Sequence, residues 1–256
     1  MGYAIDERNS ERQQLLAQML NPLTQQVLDR IPRDSIARIL DLGCGQGHTT
    51  RMLAEHFPNA SWRGFEYDAA LVARASADLS NPAGIAFQQG DASQLPFPDA
   101  SFDLVFTRYM LLHVPDPAQV IREMFRVTRP GGFVVAYEPD CCIEFCYPPN
   151  AAMERMSYLW RHLFAHPLMG RQLVHLFRSA GAANYSAGAV LGMDHDQGFY
   201  KRWYRMTAEA VGPAAISKKL MTSEEFDALL DSARQLEADP QSVCFKLPDV
   251  WVIANT

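Results

Sequence analysis

Residues 38–47 read Arg38-Ile39-Leu40-Asp41-Leu42-Gly43-Cys44-Gly45-Gln46-Gly47, and no other stretch narrows the fold as far. Ile39, Leu40 and Leu42 make an apolar run of the kind buried inside a parallel sheet. Glycine at 43, 45 and 47 lets the chain turn sharply and lets a ligand lie against the backbone. The amides that open the following helix would then face that ligand. The pattern predicts a strand, a tight turn and a helix, with a nucleotide-type cradle where open α/β sheets bind ligands. An ordinary strand-to-helix turn would use the same residues. A dinucleotide fingerprint needs its third glycine at position 48, which is His48 here.

At 256 residues, one domain with an elaboration (1–256) is expected rather than two. No apolar stretch approaches the roughly 20 residues of a membrane span. The start carries Asp6, Glu7, Arg8, Glu11 and Arg12, unlike a signal peptide. Five irregularly spaced cysteines suit a reducing cytoplasm, the expected location, better than a disulfide framework. Net charge is -6, and only residues 151–220 lean basic, with 9 basic and 4 acidic side chains. A large nucleic-acid partner is therefore not expected, and a small acidic one stays open.

Leu15, Leu16, Met19, Leu20, Leu23, Val27 and Leu28 recur at helical spacing, and Asn21-Pro22 should split that helix in two. Residues 1–35 thus read as helices that either pack on the sheet edge or cap a ligand. Ser61 to Glu66 is a second strand ending on an acid, placed to accept both hydroxyls of a ribose, and Tyr67 could lie on an adenine ring. Ile85 to Gln89 leads into Gly90-Asp91-Ala92, where the Asp91 carboxylate and the Ala92 amide pair with an adenine edge. Leu104 to Thr107 and Phe133 to Tyr137 complete the core strands.

Asp41-Leu42-Gly43-Cys44-Gly45-Gln46-Gly47, Glu66, Gly90-Asp91-Ala92, Leu95-Pro96-Phe97-Pro98-Asp99-Ala100-Ser101-Phe102-Asp103, Met110-Leu111-Leu112-His113-Val114-Pro115-Asp116 and Arg129-Pro130-Gly131-Gly132 occur in one order. That order resembles the class I S-adenosylmethionine-dependent methyltransferases, in their small-molecule branch, over about residues 36 to 140. The resemblance implies a doubly wound, mainly parallel seven-stranded Rossmann-like sheet with helical cap insertions. It implies S-adenosyl-L-methionine as cofactor, held by Asp41, Gly43, Gly45, Gln46, Glu66, Tyr67, Asp91, Ala92 and Arg108. Tyr3 and Arg12 would approach its carboxylate if the N-terminal segment closes over it. Residues 36–140 would be the cofactor core, and 141–183 with 194–240 a substrate cap. Strands 184–193 and 243–254 would complete the sheet.

The acceptor side is less determined. His113 follows the fourth strand on the ligand side, where it could act as a base, although packing is its plainer role. Glu138, Cys141, Tyr200, Trp203 and Tyr204 are the remaining substrate-side candidates; the aromatic and basic stretch from Phe199 to Arg205 reads equally as a lid or as an amphipathic helix. His162 and His166 stand one helical turn apart without an intervening glutamate, and no metal site is expected of them. The overall expectation is methyl transfer to O, N, C or S of a small molecule by a monomer or homodimer, with no membrane partner. An RNA or protein methyltransferase, a same-fold enzyme with non-methylating chemistry, and a non-catalytic binding protein are the rivals.

Overall fold

The computed structural model describes residues 7–141, 144–194 and 198–256. Helix α1 (Glu7–Leu28) precedes strand β1 (Arg38–Leu42). Then follow α2 (His48–His56), β2 (Ser61–Glu66), α3 (Ala69–Ala77), β3 (Ile85–Gln89), β4 (Phe102–Arg108), α4 (Pro117–Val127) and β5 (Thr128–Pro139). The remainder is β6 (Phe145–Tyr147), α5 (Ala151–Leu163), α6 (Met169–Ser179), β7 (Asn184–Val190), β8 (Met193–Asp194), α7 (Phe199–Ser217), α8 (Ser223–Ala238), β9 (Val243–Phe245) and β10 (Asp249–Asn255).

Seven strands form one sheet in the order β3-β2-β1-β4-β5-β10-β7. Only β10 runs antiparallel to its neighbours. The strand order reverses between β1 and β4, which opens a crevice at their carboxyl ends. The core strands are covered on both faces, and their side chains alternate between two apolar layers. Leu40, Val105, Val134, Ala136 and Val252 join the layer of α4 and α6. Ile39, Leu104, Phe106, Val135, Tyr137 and Ile253 join that of α2 and the end of α1.

Two local expectations are corrected. Pro22 does not split the first helix, because α1 runs through it. Arg108 braces both sides of the proline, donating to Asn21 Oδ1 and Thr24 Oγ1 at 3.0 Å each. Strands 184–193 and 243–254 each break into two: β7 and β10 enter the main sheet, while β8 and β9 join β6 in a second, three-stranded sheet. Helix α7, which carries the stretch from Phe199 to Arg205, continues to Ser217 through Pro213. Helix α8 opens on a Thr222–Glu225 capping box.

Candidate active site

A cavity of about 990 Å³ opens at the carboxyl ends of β1, β2 and β4. Its floor is the glycine turn, where all three glycines have positive φ: 71° at Gly43, 54° at Gly45 and 81° at Gly47. A Cβ at Gly43 would lie 2.4 Å from Met110 Cγ, whereas one at Gly45 would meet nothing within 4 Å. Gly43 thus permits close packing, and Gly45 leaves its space open. Gly43 N donates to Phe65 O at 2.8 Å and ties the turn to β2.

Glu66 ends β2 beside this turn. Its Oε2 accepts from Gly45 N at 3.0 Å, and its Oε1 from Tyr67 N at 2.8 Å and Asp68 N at 3.1 Å. A carboxylate offers about four lone-pair sites, so the three amides leave room for little more than one further donor. A grip on two ribose hydroxyls would therefore exchange an amide partner. Gln46 Nε2 and His48 Nε2 are both buried without a hydrogen-bond partner. Arg51, which can only donate, lies 3.3 Å from His48 Nδ1, so the proton of the neutral ring sits on Nε2. Burial pushes that imidazole down to about 4. Two donors of cavity-lining residues thus lack an acceptor within the protein.

Arg108 lines the cavity from the end of β4, but Thr49 Oγ1 at 2.9 Å adds to its bonds with Asn21 and Thr24. It therefore locks α1 to β4 and α2 as much as it faces the cavity. Asp41 does not line the cavity: it is buried beneath and accepts from Thr50 Oγ1 at 2.7 Å. Burial pushes its carboxyl up to about 7, against the Thr50 bond and the Arg108 charge. Tyr67, 74% exposed, stands at the mouth with Asp91 and Ala92. Asp91 accepts from Ser93 N at 2.8 Å, which holds its carboxyl below the usual range. Arg12 lines the same cavity and donates to Asn9 Oδ1 at 2.8 Å. Tyr3 lies outside the described residues.

At the other end the walls are His113, Cys141, Trp160, Phe164, Trp203, Thr207 and Leu247. His113 keeps accessible surface, yet that surface faces this cavity and a smaller one of about 260 Å³ beside His162 and Lys218. Burial, with the nearby Arg12 charge, pushes its imidazole down to about 4. It is therefore neutral at neutral pH.

Three substrate-side expectations are corrected. Glu138 does not reach the cavity; it is fully buried and accepts from the amides of Met110, Leu111 and Leu112 at 2.8, 2.8 and 3.4 Å. It holds the turn that carries His113. Tyr200 and Tyr204 are turned into the core: Tyr200 donates to Glu144, and Tyr204 is 0% exposed. His48, Trp160, Phe164 and Leu247 line the cavity without having been singled out in the sequence for such a role. Trp160 and Phe164 share a helical i, i+4 spacing that signals a common face. Among the described residues no group of three or more His, Cys, Asp or Glu is placed to hold a metal ion, and no helix is long and apolar enough to cross a membrane.

Residues 40–136 match the family described as "Methyltransferase domain". The chain is 30% identical over 171 residues to the demethylmenaquinone methyltransferase of Bacillus licheniformis, covering 66% of this chain and 69% of that one. It is 36% identical over 110 residues to the trans-aconitate 2-methyltransferase of Deinococcus radiodurans, covering 43% of this chain and 40% of that protein. An uncharacterized methyltransferase of Schizosaccharomyces pombe is 35% identical over 147 residues and is spanned over 53% of its length. The chain thus spans about half the length of several curated relatives that it matches. Among solved structures, the YcgJ protein of Bacillus subtilis superposes with a TM-score of 0.63 at 22% identity, over 92% of this chain and 97% of that one.

Proposed function

We propose, for a chain that belongs to the class I S-adenosylmethionine-dependent methyltransferases, that its cavity binds S-adenosyl-L-methionine and directs the methyl group to a small-molecule acceptor. The single observation that carries this reading is the continuity of one cavity from the glycine turn and Glu66 to the aromatic walls beyond His113. The residues present fit the cofactor. The open face of Gly45 and the unpartnered donors of Gln46 and His48 suit the methionine end, with its carboxylate, near Arg12. Glu66 suits the ribose, Tyr67 the adenine face, and Asp91 with Ala92 the adenine edge. Arg108 and Asp41 fix the elements that carry these groups.

When bound, the sulfonium supplies an electrophilic methyl group. The protein contributes position, since holding donor and acceptor in line replaces much of the cost of a bimolecular encounter. His113, neutral at pH 7, adds no positive charge next to a sulfonium. Its neutral ring, held at the cavity wall, can take a hydrogen bond from the acceptor and orient it. Glu138 sets its position through the 110–112 turn.

Residues 1–256 act in this reading as one catalytic unit, with 141–183 and 194–240 as the acceptor-side cap. The enzyme works in the cytoplasm as a monomer or homodimer without nucleic acid. Incubation with methyl-labelled cofactor and panels of small hydroxylated, aminated and thiol acceptors tests the reading. Label transferred to a small acceptor supports it; label found only in RNA or protein, or cofactor bound but never consumed, overturns it.

A further inference from the structure

The second sheet sets two cysteines face to face. Strands β6 and β9 pair antiparallel with Cys146 opposite Cys244, and β8 lies on the other side of β9. The register of β8 and β9 places Gly192 opposite Lys246, and Lys246 N donates to Gly192 O at 3.1 Å. Backbone groups alternate sides along a strand, so those of Lys246 and Cys244 point toward β8, and those of Val243 and Phe245 toward β6. Cys146 and Cys244 are therefore a non-hydrogen-bonded pair, the closer of the two kinds, in which Cα atoms lie about 4.5 Å apart. A disulfide spans roughly 4.4–6.8 Å between Cα atoms, so the backbone need not move to admit one.

Alternation along the two strands sends both sulfurs to one face. Cys146 is 9% exposed and Cys244 0%, whereas Phe145, Tyr147, Val243 and Phe245 keep accessible surface, and both cysteines stand as thiols. Burial pushes the Cys146 thiol up, and the Asn150 amide, the contacting Cys244 thiol and the Lys201 charge pull it part of the way back. The strands that carry the pair brace the acceptor wall from two ends of the chain. Glu144, just before β6, accepts from Trp160 Nε1 at 2.8 Å and from the Tyr200 hydroxyl. Lys246, just after β9, donates to Leu247 O at 2.9 Å and pairs with Asp249. Trp160 and Leu247 both line the cavity.

We infer that Cys146 and Cys244 are a redox modification site, at which a peroxide converts the thiol pair into a cross-strand disulfide that staples β6 to β9. The Cys146 thiolate attacks one oxygen of the peroxide and the O–O bond breaks, giving a sulfenic acid and a hydroxide that takes up the Cys146 proton as water. The Cys244 sulfur then displaces the sulfenic hydroxyl, which leaves with the Cys244 proton as a second water. The two sulfurs lose two electrons and the peroxide gains them. Hydrogen peroxide is small enough to reach a sulfur that is nearly buried, and Cys146, the more exposed of the two, meets it first. The bridge closes a loop around the 97 residues from 147 to 243, which hold α5, α6, α7 and α8. A loop of that length stabilises chiefly by restricting the unfolded chain.

Treating the full chain with hydrogen peroxide in mildly alkaline buffer tests this, followed by alkylation under denaturing conditions, proteolysis and mass spectrometry. The expected result is a peptide pair joined through Cys146 and Cys244, two hydrogens lighter than the separate thiols. Thermal unfolding of the oxidised chain should rise by about 5–15 °C and return on addition of dithiothreitol. Cys146→Ala and Cys244→Ala should each lose the linked peptides and the reductant-sensitive shift. If Cys244→Ala, at the wholly buried position, fails to fold, Cys146→Ala and the wild-type peptide map decide. Alkylated thiols at both positions after peroxide, a sulfinic acid at Cys146 in place of the bridge, or a disulfide from either cysteine to a different one overturns the inference. So does a linked peptide pair without a reductant-sensitive rise in Tm. None of these readings depends on cofactor binding, so the proposed function stands or falls separately.

Discussion

The two ends of the cavity are held together by different means. At the glycine-turn end, main chain meets main chain or a carboxylate: Gly43 N reaches Phe65 O, and Gly45, Tyr67 and Asp68 amides converge on Glu66. At the far end, side chains from separate helices meet one another, as Trp160 of α5 stacks on Trp203 of α7. A backbone-built site depends on a short run of residues with fixed spacing and tolerates few substitutions there. A side-chain-built site depends on how distant helices pack, and it changes specificity by single replacements that leave the backbone untouched.

The largest expected effect falls on the backbone-built end. Gly43→Ala combines a left-handed φ of 71° with a Cβ 2.4 Å from Met110 Cγ. It should cost about 2–4 kcal/mol of stability and abolish S-adenosylhomocysteine binding, as read by urea unfolding and calorimetry. Wild-type stability in this variant would break the comparison at its root. Glu66→Ala should weaken that ligand by more than about tenfold, since both the brace on Gly45 N and the carboxylate are lost. Glu66→Gln, keeping one acceptor oxygen, should fall between. Equal affinities in wild type and both variants would remove Glu66 from the ribose.

How legible each end is in the sequence follows from the same contrast. Gly43, Gly45, Gln46, Glu66, Asp91 and Ala92, singled out where a turn, a strand end and a short loop have local spacing, all line the cavity. Asp41 was placed in the motif but lies beneath the floor, because strand alternation buries it against Thr50. Glu138 ends β5 beside the crevice, yet three amides of the 110–112 turn capture it, a contact between segments that no spacing reveals. Tyr200 and Trp203 lie on one helix and only the tryptophan meets the cavity, since α7 is buried on much of its circumference. Continuity through Pro22 depends on Arg108, 86 positions along the chain from it, and was equally out of reach.

Smaller effects sharpen the contrast. If His113 packs and orients, as proposed above, His113→Ala should leave S-adenosylhomocysteine affinity within about twofold and lower turnover less than about tenfold. A loss of about a thousandfold with intact ligand binding would make it a base. Least in size is the pH dependence of folding. Asp41 has a carboxyl pushed by burial from 3.8 up to about 7, so the folded chain holds that proton more tightly than the unfolded one. Its contribution is full below about pH 4 and is lost as pH rises through about 7. Thermal unfolding should therefore show Tm declining across that window, and Asp41→Asn should flatten the decline while retaining an acceptor for Thr50. A decline of the same slope in the variant would assign it to other groups.

The central claim, that the crevice between the glycine turn and the end of β2 is an adenosyl site, is tested most directly by soaking crystals with S-adenosylhomocysteine. Electron density should place the ribose at Glu66 and the amino-acid end beside Gln46 and His48, with the sulfur facing the compartment of Trp203. Clear density for the compound anywhere else, or an unchanged crevice at saturating concentration, would contradict it.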